Sequence, residues 1–112
     1  MNVETSFSGT TAVATVSGRV DSANAKDFDQ ELRSVIDKGV SGLVVDCSGL
    51  KYMSSAGLRV LLIAIRKTSA AGGGLALCRV PDHIREVLEV SGFVRLTKVF
   101  DTLEQAQASF SN

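Results

Sequence analysis

Two adjacent hydroxyls, Ser54 and Ser55, stand where a strand-like pattern gives way to a helical one. Upstream, Leu43-Val44-Val45 is a continuous apolar run, as expected of a strand covered on both faces. Downstream, Leu58, Leu61, Leu62 and Ile65 recur at helical spacing, which predicts a helix that opens at the serines after a short loop. The first N–H groups of a helix lack intrahelical partners and favour oxygen acceptors or negative charge. One serine there can cap the helix. The other, if exposed, can carry a phosphate that the helix end holds and displays to a docking partner. Capping and modification are compatible, and residue types alone leave both open for each serine.

Other chemistries fit less well. A hydrolase nucleophile elbow needs glycine two residues before and two after its serine. Gly57 stands two after Ser55, but Met53 stands two before it, and the only histidine, His83, lies outside any triad order. Gly72-Gly73-Gly74 follows a helix and precedes a strand, the reverse of a phosphate-binding glycine loop, and reads as a flexible connection. His83 has no Cys, His, Asp or Glu cluster around it and reads as a surface or capping residue. No cofactor or metal is expected, nor an enzyme. Asp46, at the expected end of the central strand, and Asp21, after the second strand, sit where functional residues of α/β sheets gather. The second strand is expected to enter antiparallel, so Asp21 need not share that edge, and Asp46 can equally hold backbone N–H groups.

The elements that must position the serines follow from the rest of the pattern. Val3, Thr5 and Phe7 alternate with polar residues, and Ala12–Val16 forms a second strand ended by Gly18, giving an antiparallel hairpin. Ser22 or Asn24 can cap a helix with Ala25, Phe28, Leu32, Val35 and Ile36 on one face and Gly39 as its stop. After the serine helix come a strand at Leu75–Cys78, a helix with Ile84, Val87 and Leu88 inward, and a strand at Leu96–Phe100. The last helix opens with a Thr102/Gln105 capping box and buries Leu103, Ala106 and Phe110. The order ββαβαβαβα predicts an α/β fold: one domain over residues 1–112, with a mostly parallel mixed sheet, an N-terminal antiparallel hairpin and about four helices.

Composition narrows the partners. Twelve Lys/Arg balance twelve Asp/Glu, and the positive charges are scattered with no Trp and a single Tyr, which argues against nucleic acid. Cys47 and Cys78 are far apart, each in or at the end of an apolar run, and read as buried thiols instead of a disulfide framework. Met1–Thr5 shows no signal-peptide pattern, and Leu58–Ile65 is far short of a membrane span. A cytoplasmic protein without a membrane partner is expected.

Asp46-Cys47-Ser48-Gly49-Leu50 followed by Tyr52-Met53-Ser54-Ser55-Ala56-Gly57-Leu58 resembles the signature of bacterial anti-sigma factor antagonists, the STAS-domain proteins. Gly18-Arg19-Val20-Asp21 before a helix, Val90-Ser91-Gly92-Phe93 before a strand, and Phe100–Ala106 resemble further blocks of that family, so the likeness spans essentially the whole chain. The resemblance implies that Ser55 is the phosphoacceptor, with Ser54 as the alternative and as the residue that stands where the family often has Asp. It implies that Asp21 is an acidic position close to the phosphosite. Partner contact is expected over Asp21, Tyr52, Met53, Ser54, Ser55, Ala56, Gly57 and Leu58. The implied cycle is partner switching. The unmodified protein binds a serine kinase that doubles as an anti-sigma factor, with a GHKL-type ATPase fold. That kinase phosphorylates it, and a PP2C-type phosphatase reverses the modification. The alternative is a non-switching adaptor subunit of a lipid-transport ATPase or a signalling scaffold.

Overall fold

The computed structural model describes residues 1–110. Five strands form one sheet in sequential order: β1 (Asn2–Ser8), β2 (Thr11–Val20), β3 (Gly42–Met53), β4 (Gly74–Cys78) and β5 (Lys98–Phe100). β1 pairs antiparallel with β2, and every later pairing is parallel. Helices α1 (Ala25–Ile36), α2 (Ser55–Ala70) and α3 (Asp82–Val90) are the three crossovers between successive parallel strands. A sheet built in one direction by right-handed crossovers places all three on the same face. The closing helix α4 (Leu103–Ala108) covers the other face.

Alternation along the strands explains the continuous apolar runs. Leu43, Val45 and Cys47 face α1–α3, where they meet Phe28, Leu32, Leu61 and Leu88, while Val44 faces α4 with Val13, Ala76, Cys78 and Ala106. Burying each large side chain of the main layer contributes about 1.5–3 kcal/mol before conformational entropy is set against it. Both cysteines are buried and unpaired.

The expected element order is present, with local differences. β3 does not stop at Asp46. It continues to Met53, and β2 continues past Gly18 to Val20, so the two pair over Ser17↔Gly49, Gly18↔Leu50, Arg19↔Tyr52 and Val20↔Met53. Register shifts on either side of Ser17-Gly18, with Gly18 at φ 83°, let the ladder run through polar residues that read as a loop. β4 pairs with β3 only as far as Asp46, so the upper part of β3 stands clear of it. Val87 is 40% exposed, not inward. β5 begins at Lys98, because Phe93–Arg95 forms a 3-10 turn and Leu96 is exposed. Asn24 sits at the start of α1 without capping it through its side chain. The Thr102/Gln105 capping box is formed.

Candidate functional site at the junction of β3 and α2

The two serines divide the work. Ser54 is extended (φ −82°, ψ 173°) and is the N-cap of α2, its Oγ accepting the Gly57 N–H at 3.4 Å. Its carbonyl receives the Leu58 N–H, and its own N–H donates to the Val20 carbonyl at 2.9 Å, which stitches the helix start to the end of β2. Ser55 is the first residue of α2 and exposed, and its hydroxyl takes no part in the cap. No acidic residue stands in the first turn of α2, so the positive end of the helix is not met by a carboxylate of its own.

Gly57 permits this arrangement. A Cβ there would lie 2.8 Å from Val20 Cγ1 and 2.9 Å from Met53 Cγ, so only glycine lets the helix start settle onto the strand ends. Of the residues expected at the contact surface, Met53 and Gly57 are buried beneath the serines. Ala56 and Leu58 are half-buried, and Leu58 packs against the main core. Tyr52 is 40% exposed, and its ring lies 4.4 Å from the guanidinium carbon of Arg19, its partner across the β2–β3 ladder. Such a pair is worth about 0.5–1 kcal/mol at an exposed site. No spacing in the sequence pairs Arg19 with Tyr52; the strand register brings the two together.

Asp21 lies on the same edge as the serines, because β2 runs parallel to β3. The expectation of an antiparallel entry holds only for its pairing with β1. Asp21 Oδ1 accepts the Ala23 N–H at 3.0 Å, and Asn24 ties the turn by accepting the Asp21 N–H and donating to the Arg19 carbonyl, both at 2.9 Å. That engagement is why Asn24 is unavailable as a cap. His83 also approaches this edge: its Nε2 is 2.8 Å from the Lys51 carbonyl, a link between α3 and the unpaired side of β3, with no serine in its bonding.

Asp46 is elsewhere. It lies inside β3, on the face of Val44, 1% exposed, and forms an ion pair with Arg79, whose Nε donates to Oδ1 at 3.2 Å. Oδ1 also accepts the Ser48 N–H at 3.1 Å, so the carboxylate steadies the irregular stretch of β3 beneath the serines. Burial pushes this carboxyl up, but the Arg79 hydrogen bonds, the Ser48 bonds and the Arg79 charge together pull it below its ordinary value. The same burial, with Asp46 close by, pushes the Cys78 thiol up to about 11. Burial raises Cys47 further still, with smaller contributions from the neighbouring Cys78 and Asp46. Neither thiol is poised as a nucleophile. Arg79, in the left-handed region at φ 51°, is 33 residues away in sequence and carried no local signal.

The STAS domain model matches residues 2–106. A relative from Bordetella bronchiseptica, provisionally named anti-sigma factor antagonist BtrV, is 42% identical over 98 residues, covering 88% of this chain and 84% of its own. An anti-sigma factor antagonist from Mycobacterium paratuberculosis has the same fold, with a TM-score of 0.90 at 21% identity over 99% of this chain and 94% of that one. So does the Bacillus cell fate determinant SpoIIAA in its phosphorylated form, with a TM-score of 0.75 at 20% identity over 96% and 98% of the two chains. A cap that fixes Ser54, an exposed Ser55, and a family match over nearly every residue converge on one assignment: the chain belongs to the STAS-domain family of anti-sigma factor antagonists.

Proposed function

We propose that this chain is a phosphorylation-controlled partner switch with Ser55 as its phosphoacceptor. The observation that carries this reading is the division of labour between the serines: Ser54 is consumed as the helix cap, while Ser55 is exposed at the first helical position. In the unmodified state the surface around Ser55, with Asp21, Tyr52, Ala56 and Leu58, receives a serine kinase that doubles as an anti-sigma factor. The γ-phosphoryl group of ATP passes to Ser55 Oγ, the hydroxyl proton is released, and ADP leaves. A PP2C-type phosphatase hydrolyses the ester and restores the binding form. The cycle runs in the cytoplasm, and the chain acts as a regulator that brings no cofactor of its own. The relative SpoIIAA, which shares the fold, has been solved in a phosphorylated form, which supports the reading.

The physical logic needs no large rearrangement. A phosphoserine adds about −1.5 to −2 charges. The start of α2 accommodates that charge with its unpaired N–H groups. A partner lying flat on the surface meets a desolvated anion and added bulk, and a loss of about 3–4 kcal/mol lowers affinity 10²–10³-fold. Pull-downs from a native-host lysate with wild-type, Ser55→Ala and Ser55→Asp baits test this. A kinase-like ATPase retained by the first two and lost with the third supports the switch. Identical partners on all three baits, transporter or scaffold subunits among them, would instead identify a non-switching adaptor.

A further inference from the structure

Resting on Ser55 as phosphoacceptor, we infer that Arg59 is the intramolecular counterion of the phosphorylated form. Arg59 is exposed and stands four residues after Ser55 on α2, the spacing at which side chains on one helix face meet. It is the first charged residue of the helix, and among the described residues no carboxylate forms a salt bridge with it. The remaining charged groups near this edge are differently placed. Arg19 is stacked on Tyr52, Asp21 is turned into its own loop, and Lys51 is exposed on the strand below, where its carbonyl meets His83. A guanidinium offers two parallel N–H donors to a phosphate, with Glu-to-Lys-like polarity along the helix, the anion nearer the N-terminus. Phosphorylation therefore does two things at once: it adds an anion at Ser55, and it occupies a cation that the unmodified surface leaves free for a partner. Arg59 is a positioning residue for the phosphate, not a catalytic one.

The test uses the full chain with phosphoserine installed at position 55 during translation, so that no kinase or partner is needed. The second ionisation of the phosphate is followed by 31P NMR at low salt in wild type, Arg59→Gln, Arg59→Lys and Arg66→Gln. A nearby cation favours the dianion. The wild-type phosphate is expected to titrate about 0.3 pH lower than in Arg59→Gln, the equivalent of one helical ion pair. Arg59→Lys should recover most of that difference, and 0.5 M salt should reduce it. Arg66, seven residues farther along and about 10 Å more distant, should give no shift. Coincident titrations of wild type and Arg59→Gln, or an equal shift from Arg66→Gln, would overturn the assignment. Neither result depends on partner binding, so failure of the clamp and failure of the switch are separately visible.

Discussion

Replacing each serine by alanine should separate structural from functional hydroxyl. Ser54→Ala removes the acceptor for the Gly57 N–H and leaves one more unpaired donor at a part-buried helix start. N-cap losses of this type cost about 0.5–2 kcal/mol. The bond is long, at 3.4 Å, which places the expected loss toward the lower end, about 0.5–1 kcal/mol. For a domain of this size that is a fall in Tm of about 2–6 °C. Ser54→Asp should be close to neutral, since aspartate caps as well as serine and adds a favourable charge at the helix end. Ser55→Ala removes no cap bond and installs the best helix former, so its stability should stay within about 0.5 kcal/mol of wild type. Paired urea and thermal unfolding followed by circular dichroism reads all four proteins. A neutral Ser54→Ala together with a Ser55→Ala loss of about 1 kcal/mol would exchange the roles of the serines and refute the reasoning.

Other predictions follow from the packing beneath the site. Asp46→Asn should cost about 2 kcal/mol at pH 7, toward the low end for a charge-assisted pair because Arg79 is itself 45% exposed. Because the folded Asp46 carboxyl titrates below its ordinary value, its contribution is present above about pH 4 and lost as pH falls through the folded value. The stability difference between Asp46→Asn and wild type should therefore shrink at acid pH, and urea midpoints across pH 2–7 would show whether it does. Gly57→Val should destabilise by about 1–3 kcal/mol through overpacking against Val20 and Met53, measurable in the same way. Cys47 and Cys78 should resist a thiol reagent in the native protein and react together on unfolding, so fast labelling of either under native conditions would contradict their burial.

Much of this was legible in the sequence because local signals agreed. The Gly39 stop, the Thr102/Gln105 box and the two-sided apolar strands each produced the expected element. The misses have physical causes. In α2 the residues whose spacing predicted the helix, Leu58, Leu61, Leu62 and Ile65, all pack against the core, but the most deeply buried line is Gly57, Val60, Leu61, Ala64 and Thr68. A helix apolar on most sides does not declare its inner face by hydrophobicity. Here small size decides, since Gly57 must approach the strand ends. The continuation of β3 through Ser48-Gly49 was hidden because glycine and serine normally mark a turn. The pairing with a bulged β2, together with the Asp46–Ser48 bond, overrides that preference. The Arg19–Tyr52 stack and the Asp46–Arg79 pair depend on strand register and on a 33-residue separation, which no local pattern encodes.

In the proposed switch, a phosphate on Ser55 by itself controls partner affinity. Its most direct test is calorimetric titration of the captured kinase-like partner with two forms of the full chain, unmodified and carrying stoichiometric phosphoserine at position 55. The unmodified form should bind measurably and the phosphorylated one at least about 10²-fold more weakly, with the two forms indistinguishable by far-UV circular dichroism. Equal affinities for the two forms would contradict it.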